Sequence, residues 1–201
     1  MVIQQIPSFD PNPSLKAALE FLQDSGVKKY ALIGRVATWV FLPADRHQFT
    51  KDVDLAILTR DRTKIEDALK KKGLESRPLP IGGIAVREPD LMVDFIDRRL
   101  DGLNQLFSES IENARLDVEI FGEIVPVVSL PYLITMKLVS GESKDDLDAK
   151  SLLMVEGLQF DDLRLLVKRH LGTGTANRLD VFAREVGLLP PRYSYKMSDH
   201  S

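Results

Sequence analysis

Two aspartates, Asp52 and Asp54, are the residues of this sequence that most directly suggest chemistry. They lie in KDVDLAILT, where apolar residues alternate with them in the pattern of a half-buried strand. Side chains two residues apart on a strand point to the same face, so the two carboxylates would be neighbours. Their repulsion raises the pKa of one of them unless a cation offsets it. A divalent metal ion would do so, although an acid pair at a strand edge is the alternative interpretation.

A third carboxylate follows on a later strand. The stretch IAVREPDLMVDFID predicts a strand, a turn at residues 88–90 and a second strand that contains Asp94. Asp94 directly follows the apolar run LMV, where an unpaired acid is costly to bury, so we prefer it to Asp97 at the strand end. Mg²⁺ prefers oxygen ligands and keeps several waters, so three carboxylates suffice for the two ions of a phosphoryl-transfer site.

A glycine turn precedes the pair of aspartates. YALIG predicts a short buried strand that ends in a tight turn at Gly34. The following VATWVFL fits a buried helix or another strand, and its position after the glycine favours the helix. A glycine here would let backbone N–H groups approach a triphosphate closely. The side chain of Arg35, at the turn, should point into the same cleft.

The remaining pattern predicts an α/β (α+β) protein with a mixed, twisted sheet flanked by helices, followed by a helical lobe. Amphipathic helices are predicted for LKAALEFLQDSG and DRTKIEDALKKKG, a loop for residues 78–83, a weak helix for DGLNQLFSESIENA and a hairpin for DVEIFGEIVPVVS. Beyond Pro131, short helices separated by glycines follow one another. We therefore predict a catalytic lobe at 1–128, a helical lobe at 129–190 and a loosely held tail at 191–201.

Composition limits the classes of function. The chain of 201 residues has a formal net charge of -3 and a pI near 5.7, so a polyanion would need a local basic patch. The absence of cysteine excludes disulfides, thiolate metal sites and cysteine nucleophiles. The N-terminal residues lack a basic, apolar leader, and no run of about eighteen apolar residues occurs. These features predict a soluble, cytoplasmic protein without a membrane partner.

Two stretches resemble a known family. LIGRVATWVFLPADRHQFTKDVDLAIL resembles the first motif of the polymerase-β-type nucleotidyltransferase superfamily, in which a glycine turn precedes D-x-D. VPVVSLPYLITMKLVSGESKDDLDAKSLL is similar to the helical motif of its AbiEii-like branch. The resemblance spans residues 29–153. It implies a nucleotidyltransferase fold, an NTP substrate, and two Mg²⁺ ions held by Asp52, Asp54 and Asp94.

The resemblance also implies nucleotide-binding residues. Lys137 matches the lysine that contacts the phosphates, and Lys144, Asp145 and Asp148 match K-D-x-x-D. The expected nucleotide-binding set is Gly34, Arg35, Thr50, Lys137, Lys144 and Asp148. An intrahelical ion pair between Lys144 and Asp148 would explain that spacing equally well, and Lys137 would also fit a solvated helix face.

Two positions depart from the family pattern. Arg35 stands where a second small residue is usual, and Gln48 stands where many relatives have the arginine of R-x-T-x-D-x-D. The implied reaction moves a nucleoside monophosphate from an NTP to a hydroxyl of tRNA or of a small molecule such as an antibiotic. Members of the branch act as toxins, which implies a cognate antitoxin as a partner. A noncatalytic relative that binds a nucleotide or a protein is the alternative.

Overall fold

A seven-stranded mixed sheet forms the centre of the computed structural model, which describes residues 10–100 and 102–190. Its strands are β1 (Tyr30–Ile33), β2 (Val53–Ile57), β3 (Ser76–Pro78), β4 (Gly83–Glu88), β5 (Leu91–Ile96), β6 (Arg115–Ile120) and β7 (Glu123–Val127). Their order across the sheet is β3-β4-β5-β2-β1-β7-β6. The helices are α1 (Asn12–Asp24), α2 (Gly34–Thr38), α3 (Arg62–Lys71), α4 (Asn104–Glu112), α5 (Leu130–Ser140), α6 (Ser143–Leu153) and α7 (Phe160–Glu185).

The register of the central strands brings the predicted acids together. β2 pairs antiparallel with β1, which places Ile33 opposite Asp54. β2 also pairs parallel with β5, which places Asp54 beside Asp94. Because paired residues of neighbouring strands point to the same face, the two carboxylates lie side by side on the sheet. The turn that follows Ile33 therefore lies next to the carboxylate of Asp54.

Alternation of apolar residues explains why these strands are central. Val53, Leu55, Val93 and Phe95 are fully buried and belong to a continuous hydrophobic core. α1 packs against β5 and α3, whereas α2 and α4 pack against β1 and β2. These four apolar residues share the face of the sheet opposite to Asp54 and Asp94, and they hold the register because a slip by one residue would turn every side chain over.

The C-terminal helices pack mainly on one another, with α5 in contact with both α6 and α7. α7 is interrupted at Gly172, whose φ of 82° and ψ of 175° are not helical. Arg164 and Asp180 lie on opposite sides of this break and are joined by hydrogen bonds of 2.8 and 3.1 Å. The two helical segments expected on either side of the glycine are therefore present.

The predicted fold class is confirmed, with two differences in detail. The stretch after Gly34 forms a helix, as its position favoured, but this helix ends at Thr38. The short strand β3 was missed because its three residues show no apolar alternation. The division into lobes near Ser129 stays a prediction, and the tail at 191–201 lies outside the described residues.

None of the helices in the described ranges combines the length and the apolar composition needed to span a membrane.

Replacement of Gly83 by alanine should destabilise the β4–β5 hairpin. Gly83 has φ +113°, and an added Cβ would lie 2.1 Å from the carbonyl oxygen of Phe95. We expect Gly83→Ala to lower the free energy of unfolding by about 2 kcal/mol or more in urea denaturation. Gly174→Ala is the control, because Gly174 is helical and has open space around its Cβ position. Its stability should be unchanged or higher, and equal losses in both variants would contradict the prediction.

Candidate metal and nucleotide site

Three carboxylates converge at the edge between β2 and β5. Asp54 lies in β2, Asp94 lies in β5, and Asp52 immediately precedes β2. One ligand oxygen of each lies within 4.8 Å of the others. Oxygen atoms at this separation can share divalent cations, and the all-oxygen set suits Mg²⁺. The structure therefore brings together the three acids that the sequence singled out.

Burial and neighbouring acids raise the pKa of Asp54, and burial raises that of Asp94. Burial, followed by the charges of Asp52 and Asp94, raises the pKa of Asp54 to about 7, against the opposing charges of Lys137 and Arg87. Burial also raises the pKa of Asp94, and Arg87 opposes that shift. Like charges in a poorly solvated place destabilise the ionised forms. Positive charge bound among the three acids would relieve this cost.

The environment of the acids fits a metal ion. Oδ1 of Asp94 is buried and forms an ion pair with Nη2 of Arg87 at 2.5 Å. Thr50, one of the expected site residues, donates a hydrogen bond of 2.7 Å to Oδ1 of Asp52 and so orients that carboxylate. A carboxylate that a neighbouring donor holds in one orientation is pre-positioned as a metal ligand.

Arg87 is a site residue that the sequence reasoning missed. The β4–β5 register pairs Ala85 with Asp94 and Arg87 with Met92, so Arg87 lies diagonally across from the third acid on the same face. Its guanidinium also donates hydrogen bonds to the carbonyls of Val86 and Val93. The sequence predicts the hairpin around residues 88–90 but not its register, and the register is what brings Arg87 close to Asp94.

Gly34 begins α2 directly against the acids. It has φ +68°, and an added Cβ would lie 1.9 Å from Oδ2 of Asp54. A side chain at this position would collide with the carboxylate, so glycine is required for steric as well as conformational reasons. The backbone at this turn therefore packs directly against the carboxylate of Asp54.

A buried acid holds two of the predicted phosphate-binding cations. Nζ of Lys137 lies 2.7 Å from Oδ1 of Asp145 and 2.7 Å from Oδ2 of Asp148. Nε and Nη2 of Arg35 each lie 3.3 Å from the same Asp148 oxygen. Lys137 is 7% exposed, so it does not lie on a solvated helix face. Lys144 pairs with Glu142 at 3.1 Å, so the intrahelical pair between Lys144 and Asp148 does not form.

A cleft of about 380 Å³ opens over the acids. Its walls include five of the six expected nucleotide-binding residues, which are Gly34, Arg35, Thr50, Lys137 and Lys144. Asp148 is outside this lining and contacts the cleft through Arg35 and Lys137. The lining also contains eight residues that sequence reasoning did not select: Ile33, Ile81, Ile96, Arg98, Phe107, Leu133, Met136 and Glu142. Leu133 and Met136 lie on α5 with Lys137, and the others come from several further segments of the chain.

Comparison with solved structures identifies the fold as that of nucleotidyltransferases. The solution structure of the antibiotic-resistance factor ANT(2'')-Ia aligns with a TM-score of 0.55 and 13% identity over 87% of this chain and 95% of that chain. Its crystal structure in complex with adenylyl-2''-tobramycin gives 0.54 and 12% over 79% and 95%. An antigenic nucleotidyltransferase-like protein from Paracoccidioides brasiliensis gives 0.51 and 16% over 86% and 91%.

The comparisons by sequence find no matching family model and no matching curated protein. At the identities of the structural neighbours the likeness shows the fold alone. The superfamily that the motifs resemble, and its AbiEii-like branch, therefore stay predictions.

The raised pKa of Asp54 predicts a pH-dependent stability. Between about pH 4 and pH 7 the native Asp54 keeps a proton that the unfolded chain releases near its ordinary pKa of 3.8. The native state then binds more protons, so stability falls as pH rises through this range. In EDTA at pH 8, Asp54→Asn should have a higher Tm than the wild type by about 2–4 °C or more. Exposed Asp45 supplies the control Asp45→Asn, and equal Tm shifts in both variants would contradict the prediction.

A pair of glycines separates backbone strain from collision with the acids. Gly34 and Gly26 both have φ +68°, but an added Cβ at Gly26 has nothing within 4 Å. Alanine should therefore strain the backbone similarly at both positions and displace a carboxylate only at Gly34. We expect Mg²⁺ with ATP to raise the Tm of the wild type and of Gly26→Ala, but not the Tm of Gly34→Ala. Equal responses of the two variants would show that the turn does not matter for the site.

Proposed function

We propose that this protein is a metal-dependent nucleotidyltransferase that moves a nucleoside monophosphate from an NTP to a hydroxyl group and releases pyrophosphate. The observation that supports this most is the convergence of Asp52, Asp54 and Asp94 within 4.8 Å. A glycine turn and a buried lysine stand next to them, in a protein with a nucleotidyltransferase fold. The fold alone would leave the activity open, whereas the acids supply the chemistry.

The three acids would hold two Mg²⁺ ions. When bound, such ions stabilise negative charge on the attacking and leaving oxygens of an in-line displacement. The hydrogen bond from Thr50 orients the carboxylate of Asp52. The charges of Asp52 and Asp94 both raise the pKa of Asp54. Asp94, whose pKa is raised by burial, would also help to activate the acceptor hydroxyl by accepting its proton.

Basic residues on one side of the acids would bind the triphosphate. Arg35, Lys137 and Lys144 all line the cleft there. Asp148 contacts both Arg35 and Lys137 and so sets the positions of their charged groups. Arg35 replaces a small residue of the family pattern, and its Nη1 also donates to the carbonyl of Phe49 at 3.1 Å. We infer that it contacts a phosphate from the cleft wall instead of crowding the turn.

The class of acceptor is a separate part of the proposal. A structural neighbour holds adenylyl-2''-tobramycin, which supports a small-molecule acceptor. A tRNA acceptor, and a toxin role with a cognate antitoxin, are supported only by the motif resemblance. The departures at Arg35 and Gln48 keep a noncatalytic, nucleotide-binding protein as the second candidate.

A labelling experiment tests the proposed activity. The protein is incubated with Mg²⁺ and each α-labelled NTP, together with total tRNA or a panel of hydroxylated small molecules that includes tobramycin. We expect label in one acceptor class, with loss to background in Asp54→Asn because a metal ligand is removed. Asp45→Asn, at an exposed position outside the cleft, should label as the wild type does.

Two outcomes would contradict the enzyme hypothesis. If Mg²⁺ raises the Tm of neither the wild type nor Asp45→Asn, the acids do not form a metal site. If Mg²⁺ with an NTP raises the Tm of the wild type but nothing is labelled above the Asp54→Asn background, the noncatalytic candidate is the better description.

A further inference from the structure

Arg87 contacts the acid cluster, but the proposed reaction gives it no role. It lies on β4, one residue before the end of that strand, and its Nη2 forms an ion pair of 2.5 Å with Oδ1 of Asp94 on β5. Asp94 lines the cleft, whereas Arg87 is not part of the lining. The guanidinium therefore reaches this carboxylate from outside the cleft.

The two oxygens of Asp94 lie in different surroundings. Oδ1 is buried, and it is the oxygen that pairs with Arg87. The side chain as a whole is 13% exposed, so the part of it that reaches the cleft is not Oδ1. Oδ2 is thus the oxygen that Asp94 can turn toward a ligand in the cleft.

The backbone of the hairpin anchors the guanidinium of Arg87. Its Nη1 donates hydrogen bonds of 2.9 Å to the carbonyl of Val86 and of 3.1 Å to the carbonyl of Val93. These two valines are paired in the β4–β5 register, and both are fully buried. A guanidinium is planar and rigid, so a fixed Nη1 also fixes Nη2 against Asp94. The sheet thus holds one carboxylate oxygen through a single side chain.

Asp52 is held by a donor of a different kind. Its Oδ1 accepts a hydrogen bond of 2.7 Å from the hydroxyl of Thr50. A hydroxyl carries no net charge and offers a single, rotatable donor, so it restrains a carboxylate less than an anchored guanidinium does. Two of the three acids therefore have one oxygen held by a neighbouring residue, and the hold on Asp94 is the firmer.

Mg²⁺ and Ca²⁺ make different demands on such a carboxylate. Mg²⁺ requires a near-ideal octahedron with ligands at about 2.0–2.1 Å and keeps several waters, so one oxygen from each acid is sufficient. Ca²⁺ takes about 6–8 oxygens at about 2.3–2.6 Å, and it readily uses both oxygens of one carboxylate. An acid with one oxygen held by a cation therefore suits Mg²⁺ and is a poor bidentate ligand for Ca²⁺.

We propose that Arg87 is a positioning residue that gives the site a preference for Mg²⁺ over Ca²⁺, because it occupies Oδ1 of Asp94. The proposal rests on the proposed function, which assigns a metal site to the three acids. The positive charge of Arg87 opposes the binding of both divalent ions alike, so its charge alone would change both affinities by a similar factor. The ratio of the two affinities therefore reports how Asp94 is held.

Competition for Mn²⁺ measures this ratio. Binding to the protein removes the EPR signal of free Mn²⁺, and Mg²⁺ and Ca²⁺ are titrated as competitors, first without nucleotide and then with α,β-methylene-ATP. We expect Arg87→Gln to raise the affinity for Ca²⁺ relative to Mg²⁺ by about tenfold, as for other residues that orient a metal ligand. Arg87→Lys should keep part of the wild-type ratio, because an ammonium can still pair with Oδ1.

Arg77 supplies the matched control. It is exposed on β3 and is paired with Ala85, which is paired in turn with Asp94, so the three residues lie in one row of the sheet. Arg77→Gln removes the same charge from this row and leaves the partner of Asp94 in place, so the ratio should stay at its wild-type value. A role of Arg87 in stability alone would lower the Tm of Arg87→Gln without a change in the ratio.

An unchanged ratio in Arg87→Gln, or an equal shift in Arg77→Gln, would overturn the proposal. Crystals of the wild type soaked in Ca²⁺ give a test that needs no variant, since both oxygens of Asp94 on one Ca²⁺ would overturn it too. If the wild type binds Mn²⁺ no better than Asp54→Asn does, with or without the nucleotide analogue, the proposed function fails. A Mn²⁺ site with an unchanged ratio contradicts the role of Arg87 alone.

Discussion

Repulsion among three carboxylates is the interaction on which the rest of the site depends. The parallel pairing of β2 with β5 fixes Asp54 beside Asp94, so the backbone holds the two side chains at neighbouring positions. The cost is visible in Asp54, whose pKa reaches about 7 because of burial and its two acidic neighbours. A hydrophobic core on both strands supplies the stability that keeps this arrangement. Lys137 and Arg87 oppose this rise in pKa, so the cations stabilise the ionised acids even without a substrate.

Those cations are organised in two ways. Arg87 comes from the hairpin itself and contacts Asp94 directly. Arg35 and Lys137 are instead tied to Asp148, a 3% exposed acid that balances their charge and is not one of the three clustered acids. This division leaves Asp52 and Asp54 without an ion pair to any of the described residues, whereas Asp94 has one with Arg87. A charged group held by a buried partner is also pre-positioned, which lowers the entropy lost when it binds a ligand.

Local patterns predicted the strands, the glycine turn and the three acids, because alternation and turn residues are properties of neighbours in sequence. They did not predict β3, which has no alternation, or the placement of Arg87, which depends on hairpin register. The spacing of Lys144 and Asp148 also fitted an ion pair within α6, but Asp148 is buried and pairs with Lys137 and Arg35 instead. The apolar residues of the cleft wall were not predicted as a set, because they come from several segments that meet through tertiary packing.

The two sides of the cleft differ in how far apart their parts lie along the chain. The acids come from a single segment that ends at Asp94 and is joined by strand pairing. The contact between Arg35 and Asp148 instead closes a separation of 113 residues. Contacts between distant residues form late because the intervening chain must first be ordered. During synthesis, the strands that carry the three acids therefore emerge before the helices that bring Lys137 and Asp148, so this counter-charge is the last part of the cluster's surroundings to be made.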